Sequence, residues 1–382
     1  MKKIALVIKD KLFQLFRRRT SSVAFIPEID GLRFLAIFLV IINHIQSQYL
    51  LRSVSPVNSS WWAGVLKPLL NTAEIGVFLF FAISGFILML PFARSHLLSD
   101  GRVSLKKYYL RRLTRLEPPY LLAMIFLFAM KIVVQKKDFL DLIPHLGATL
   151  LYLHTFIYHE MSRITPITWS LEIEIQFYLL ATFLAGIYRL PKLLRRGIIF
   201  SAILVLPFLQ YFYHISGYTF LGQCQYFLVG FMLVDLYICQ DKIANNGFIK
   251  PVGLILLLFL VIIKPNNLLN VFFYPFLILV FYCLVLNVKF WKDIFSNKFL
   301  TSIGGMCYSI YLLHFAIISL VGMKIFYLEV SSSYFLNVLV QIIIQLPIVL
   351  LISSIYYLLI EKPCMDPKWL HKVIGFLKRK RI

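Results

Sequence analysis

The amino-acid sequence predicts an all-α, polytopic membrane protein with about ten transmembrane helices around a central cavity. Sixty per cent of its 382 residues are hydrophobic, which is more apolar surface than a soluble domain of this length needs. Apolar runs long enough to cross a bilayer recur along the whole chain. Lys and Arg are concentrated between these runs, as expected for a multi-pass protein.

Ten apolar runs of spanning length organise the chain. They lie near residues 32–51, 74–91, 118–135, 171–188, 197–213, 221–239, 249–264, 268–288, 300–322 and 334–360. A further stretch, 139–158, is ambiguous because Pro144 and Gly147 interrupt it. If it does not cross, both termini share one side, which holds 31 of the 39 Lys and Arg residues. The positive-inside rule then predicts cytoplasmic termini, with 139–158 re-entrant or along the outer face.

Basic segments lie at both ends of the chain. Residues 1–25 form a basic segment, interpreted as an amphipathic helix on the inner membrane surface or as a disordered tail. The transmembrane domain covers 26–363, and 364–382 is a basic cytoplasmic tail. The net charge of +22 lies between apolar runs, so it indicates topology and no nucleic-acid partner. The five cysteines form no CxxC pair and have no histidine at metal spacing, so neither disulfides nor a zinc site is predicted. No metal and no bound cofactor are expected.

The first span carries the most informative pair, Arg33 and His44. Eleven residues separate them, so they share one helical face and lie roughly 16 Å apart along the axis. A deeply placed ionisable residue costs a few kcal/mol and usually faces a polar cavity. His44 is therefore the candidate base, with helix packing as the alternative. Arg33 is a candidate anion ligand or a headgroup anchor, and Asn43 is a candidate lining residue.

Arg112 and Arg115 lie three residues apart, on one helical face, before the third span. The guanidinium fork binds phosphate oxygens bidentately, so these side chains and Arg33 form a candidate phosphate site. Topology alone also requires a basic loop at this position.

Two carboxylates enter the fourth span from the outer side. Glu174 lies one turn inside the membrane, where a histidine could use it, and is the second candidate catalytic residue. Glu172 is nearer the surface and is expected to be solvated. Both Glu172 and Trp169 are candidates for lining the cavity.

Three further residues are weaker candidates for cavity lining. Ser84 precedes Gly85 in the second span, where close helix packing is the favoured role. Tyr308 and His314 lie in the ninth span, where Tyr308 shares a face with Tyr311 and, less closely, with His314. Aromatic packing explains this group as well as substrate contact does.

Five motifs, in order, resemble the acyltransferase-3 family of integral-membrane O-acyltransferases. They are DGLRFLAIFLVIINH with its Arg-x10-His pattern, FFAISGF, RRLTRLEPPY, WSLEIEIQFYLL and YSIYLLH. The resemblance runs from Ile26 to Pro363, nearly the whole chain. One apolar motif is weak evidence, but five in order with their charged positions kept are specific.

The resemblance implies an enzyme of the bacterial inner membrane. It would move an acyl group, with acetyl favoured, from cytoplasmic acetyl-CoA or another acyl-CoA to a hydroxyl of a surface glycan or lipid-linked saccharide. Lipopolysaccharide O-antigen and exopolysaccharide are typical acceptors. The resemblance also implies that His44 is the essential histidine and Arg33 its paired arginine. Arg112 and Arg115 then match the basic motif, and Glu174 matches the glutamate of the Trp-Ser-Leu motif.

The residues suit this chemistry. Arginines at the cytoplasmic mouth would hold the phosphates, while the long arm of acyl-CoA carries the thioester towards His44. His44 would deprotonate the acceptor hydroxyl, and Glu174 would orient the imidazole. A proton-coupled transporter using the same His, Glu and Arg is the alternative, and a scaffold subunit is a third interpretation. The acceptor, the acyl chain length and homo-oligomerisation stay open.

Overall fold

The computed structural model describes residues 15–16, 25–52, 73–239, 249–263, 268–366 and 369. Most of the two predicted basic terminal segments therefore lies outside the described residues. Within those ranges the regular structure is helical, without β-strands. The helices are α1 (Pro27–Leu50), α2 (Ala73–Leu97), α3 (Leu105–Val133), α4 (Phe139–Leu150), α5 (His154–Tyr158), α6 (Thr168–Leu184), α7 (Lys192–Phe212), α8 (Phe220–Ile238), α9 (Ile249–Ile262), α10 (Leu268–Asn287), α11 (Lys289–Phe295), α12 (Lys298–Gly305), α13 (Cys307–Ile325) and α14 (Tyr334–Tyr356). A 3₁₀ turn (Ala185–Arg189) follows α6, and a π turn (Tyr357–Glu361) extends α14.

The helices confirm the predicted class, an all-α polytopic membrane protein. Seven of those described are long and apolar enough to cross a membrane, namely α2, α3, α6 with its 3₁₀ turn, α7, α8, α13 and α14. The pair α10 and α11, bent by 91°, would be an eighth. Helices α1 and α9 occupy the other two predicted runs. By length and composition, seven or eight of the ten predicted spans are thus supported.

The ambiguous stretch at 139–158 forms two short helices, α4 and α5, of 12 and 5 residues. At 1.5 Å per residue, α4 is about 18 Å long, whereas the hydrocarbon core of a bilayer is about 30 Å thick. Asp138 fixes the start of α4 by accepting a hydrogen bond from the Asp141 amide at 3.0 Å. The stretch therefore does not cross as one helix.

The start predicted for the ninth span, residue 300, is wrong. The chain turns after Gly305, and the long helix α13 begins at Cys307. Gly304 packs so closely on α1 that a Cβ atom there would lie 1.7 Å from the carbonyl oxygen of Asp30. Helix α12 is therefore a separate short helix that supports the first turn of α1.

Helix α1 packs against α2, α11, α12, α13 and α14. At its first turn, Gly31 lies against α11, where an added Cβ would come within 1.9 Å of the carbonyl oxygen of Phe295. Two close backbone contacts, at Gly31 and at Gly304, thus fix the turn that carries Asp30 and Arg33.

A second close crossing joins α2 to α8. An added Cβ on Gly85 would lie 2.2 Å from the carbonyl oxygen of Phe227, and one on Gly230 would lie 2.4 Å from that of Ala82. Small residues let backbones approach in this way inside a membrane. The packing role predicted for the Ser84–Gly85 pair is confirmed for Gly85.

Candidate active site

A cavity of about 740 Å³ lies between α1, α2, α3, α6 and α13. Where α1 and α3 begin, its wall is strongly basic. The cationic side chains that line it are those of Arg33, Arg102, Lys107, Arg111, Arg112 and Arg115. Two carboxylates, Asp30 and Glu174, also line the cavity. The excess of cations suits a ligand with several negative charges.

Arg33 lies one turn into α1 and is held by its own helix. Its Nη1 donates a hydrogen bond of 2.5 Å to Oδ1 of Asp30, three residues earlier. Asp30 is buried, with 3 % of its surface exposed. The ion pair aims the guanidinium along the cavity wall and leaves its other N–H groups available to a ligand.

Arg115 is held by a residue from the far end of the chain. Its Nη2 lies 3.8 Å from Oε1 of Glu361, which the π turn after α14 places in the interior. The other oxygen, Oε2, accepts hydrogen bonds from the amide and hydroxyl of Ser309, at 3.0 and 2.6 Å. Glu361 is fully buried, and a buried carboxylate is costly unless it is paired and hydrogen-bonded, so its contacts with Arg115 and Ser309 stabilise its charge.

Arg112 is held by aromatic rings. Its guanidinium carbon lies 4.8 Å from the ring centroid of Tyr108 and 5.0 Å from that of Tyr178. No carboxylate of the described residues lies within ion-pair distance of it. Of the three arginines predicted from the sequence, Arg112 is therefore the one whose charge is not already matched.

Glu174 lines the cavity but does not orient His44. The Ser84 hydroxyl donates to Oε1 of Glu174 at 2.7 Å, and the Tyr178 hydroxyl donates to the same oxygen. Because Tyr178 also stacks on Arg112, Glu174 supports the arginine site. The expectation that this carboxylate orients the imidazole is wrong, since its described hydrogen bonds lead to α2 and back to α6.

His44 is half-buried and lies outside the lining of the cavity. Its ring contacts His314 and Phe315 of α13, each with a centroid distance of 5.2 Å. Tyr311 lines the cavity and also contacts His314, with ring centroids 6.1 Å apart. The expectation of one slot shared by Arg33 and His44 is therefore wrong in this conformation. A shared face of α1 was not sufficient, because the His44 ring packs against His314 and Phe315 of α13, and none of these three side chains lines the cavity.

The weaker candidates divide into two groups. Ser84 and Tyr308 line the cavity, and the Tyr308 hydroxyl donates to the carbonyl of Leu116 at 2.9 Å. Four others do not line it: Asn43, Trp169, Glu172 and His314.

Each of the four is engaged elsewhere. Asn43 accepts from Ser47 at 3.3 Å, and Trp169 packs edge-on against Phe81 and Tyr218. Glu172, which was expected to be solvated, is only 2 % exposed and accepts from the Thr155 amide at 2.9 Å. His314 is fully buried against His44 and Tyr311.

Several lining residues were missed in the sequence. Lys107 and Arg111 precede Arg115 by eight and four residues, so their i, i+4 spacing predicts one basic face on α3. This basic face could therefore have been predicted from the sequence. Glu361, which holds Arg115 from outside the cavity lining, had no such signal, because its partners Arg115 and Ser309 lie far away along the chain.

Fold and site together define a polytopic helical membrane protein with a cavity between its helices that is basic at one end. The family described as "Acyltransferase domain" matches residues 26–358. The match covers most of the chain, so the protein belongs to this acyltransferase family, and the resemblance seen in the motifs is confirmed.

Two similar proteins carry O-acetyltransferase names. "Putative O-acetyltransferase SACOL0978" of Staphylococcus aureus (strain COL) is 26 % identical over 382 residues, covering 90 % of this chain and 58 % of that protein. "O-acetyltransferase OatA" of Staphylococcus aureus (strain NCTC 8325 / PS 47) is 25 % identical over 399 residues, covering 94 % and 60 %. The chain thus spans less than two thirds of the length of these relatives. No solved structure matches it. Neither the family nor these relatives support a transporter.

Proposed function

We propose that this chain transfers an acyl group, acetyl in the first instance, from acyl-CoA to a hydroxyl of a surface glycan or lipid-linked saccharide. The observation that carries the proposal is the basic end of the cavity in a member of an acyltransferase family. The printed names of the relatives favour O-acetyl transfer. The bacterial relatives favour a bacterial plasma membrane. The excess of Lys and Arg on one side favours both termini and the basic end in the cytoplasm, where acyl-CoA is made.

The donor would bind by its phosphates. Coenzyme A has a polyanionic head, and a desolvated guanidinium binds phosphate oxygens strongly. Arg112 would contribute most, because Tyr108 and Tyr178 hold it without neutralising it. Arg33 and Arg115 would add contacts through the N–H groups that their carboxylates leave unused.

His44 would act as the general base. As the acceptor oxygen attacks the thioester carbonyl, the C–O bond forms and the C–S bond breaks. The hydroxyl proton passes to His44 and then to the departing sulfur of coenzyme A, so no proton is gained or lost overall. Since His44 does not line the cavity, the thioester would reach it only after a rearrangement of the side chains between α1 and α13.

The test is donor binding by the purified protein in lipid nanodiscs, followed by transfer of radiolabelled acetyl to a membrane glycan fraction. We expect Arg112→Ala to weaken acetyl-CoA binding at least tenfold, because the phosphates lose their unmatched cation. The matched control is Arg163→Ala, which removes an exposed arginine paired with Glu160 away from the cavity. Equal acetyl-CoA affinity for the wild type and Arg112→Ala would refute the proposed donor site.

A further inference from the structure

His314 is a fully buried side chain with one nitrogen engaged and one nitrogen without a partner. Its Nδ1 lies 3.0 Å from the carbonyl oxygen of Ile310 and 2.8 Å from that of Tyr311. Carbonyl oxygens only accept hydrogen bonds, so Nδ1 must carry the proton. In the neutral imidazole, Nε2 then holds a lone pair, and the fold of α13 fixes this tautomer.

The Nε2 atom of His314 is buried without a hydrogen-bond partner. A buried nitrogen without a hydrogen bond destabilises the folded protein, so a native structure is expected to have a use for it. The imidazole of His44 lies against this ring, at a centroid distance of 5.2 Å. The His145–His154 pair has a centroid distance of 5.1 Å and a 2.9 Å hydrogen bond between ring nitrogens. The His44–His314 spacing is thus compatible with an N–H to N hydrogen bond after a rotation of one ring.

We infer that His314 is the positioning residue for His44, an inference that rests on the proposed function. During transfer, Nε2 of His314 accepts a hydrogen bond from one nitrogen of His44. This leaves the lone pair of the opposite His44 nitrogen facing the acceptor hydroxyl. When His44 takes the proton, the same hydrogen bond stabilises the imidazolium. A general base oriented by a third group is a recurrent arrangement, and here the third group is an imidazole rather than a carboxylate.

The arrangement accounts for the absence of a carboxylate at His44. No carboxylate lies within ion-pair distance of His44 in the part of the chain that the structure describes. Glu174, the carboxylate expected there, is bound by Ser84 and Tyr178. A neutral acceptor also suits a site inside a membrane, since a permanent charge there is costly.

The experiment uses full-length variants in nanodiscs and measures acetyl transfer from radiolabelled acetyl-CoA at several donor concentrations. His314→Gln places an amide near the position of Nε2, where it can accept from His44. His314→Asn places its amide near Nδ1 and leaves the Nε2 position empty. We expect Asn to lower kcat tenfold or more with KM for acetyl-CoA within twofold of the wild type. Gln should restore at least a third of the wild-type kcat.

His145→Gln and His145→Asn are the matched controls, and the folded fraction of every variant is measured by size exclusion. For these controls we expect kcat per folded molecule within twofold of the wild type. Equal kcat for His314→Gln and His314→Asn, or an undiminished kcat for His314→Asn, would overturn the inference. His44→Ala separates the two levels. An active His44→Ala protein would refute the general-base role of His44 and with it the inference, whereas a wild-type protein that transfers no acetyl would refute the proposed function itself. An inactive His44→Ala protein beside an active His314→Asn would refute only the positioning role.

Discussion

Two histidine pairs with nearly equal ring separations differ in how their nitrogens are satisfied. Between α4 and α5, His145 Nδ1 and His154 Nε2 are 2.9 Å apart, and His154 Nδ1 lies 3.3 Å from the carbonyl oxygen of Glu160. Tyr158 covers both rings, with centroid distances of 4.3 and 4.8 Å. Between α1 and α13, no hydrogen bond joins His44 to His314, and Nε2 of His314 is unpartnered.

The difference separates a structural cluster from a candidate catalytic one. In the His145–His154 pair the bonded nitrogens stabilise two short helices that cannot cross the membrane. In the His44–His314 pair the buried, unused lone pair costs stability, and such a cost is expected where a residue is kept for function. The same residue type thus occurs in two settings that its own sequence surroundings do not distinguish.

The largest effect is expected from removing a base. His44→Ala should lower the rate of acetyl transfer by 10²-fold or more, the usual contribution of a general base. His154→Ala should leave the rate per folded molecule within twofold of the wild type. Initial rates with radiolabelled acetyl-CoA in membrane vesicles, normalised to folded protein, provide the measurement. Equal losses from both substitutions would remove the distinction between the pairs.

The loss of folding stability should follow the opposite order, with the larger loss at the His145–His154 pair. His145→Leu removes the donor to His154 Nε2 and leaves that nitrogen buried and unpaired, at a cost of about 1–3 kcal/mol. His314→Leu removes an unpaired nitrogen, and the carbonyls of Ile310 and Tyr311 keep their places within a helix, so its cost should be smaller. Unfolding of both variants in the same detergent, monitored by tryptophan fluorescence, decides the order. A larger destabilisation by His314→Leu would contradict it.

The smallest effect concerns pH at the His145–His154 pair. Burial lowers the pKa of His154, and the carbonyl of Glu160 offsets this in part. A histidine whose folded pKa is lowered contributes stability above its unfolded pKa of about 6.5, and that stability is lost as the pH falls below this value. Amide hydrogen exchange in residues 139–163 should therefore accelerate between pH 7.5 and 5.5, after correction for intrinsic rates. Unchanged or slower corrected exchange would show that this histidine does not couple to the local fold.

Sequence reasoning was accurate where the signal is local. Apolar runs located the helices, because a residue in lipid must be apolar or satisfied whatever its neighbours are. Arg33, Arg112 and Arg115 were recognised as one basic group, because the predicted topology places the start of the first span and the segment before the third span at the same membrane face. The prediction of ten spans and the predicted start of the ninth span were less accurate. The bend between α10 and α11 and the close contact of Gly304 with α1 depend on the packing of other helices, which the sequence does not show.

By itself, the sequence determined an all-α membrane protein of the acyltransferase family with a basic end and a histidine within its first helix. Only the tertiary structure decided which polar groups meet. It brought Glu361 to Arg115, turned Glu174 towards Ser84 and Tyr178, and set Tyr311 beside His314 at the cavity wall. The physical reason is that helix periodicity fixes which residues share a face, whereas the rotation and packing of neighbouring helices fix what that face contacts.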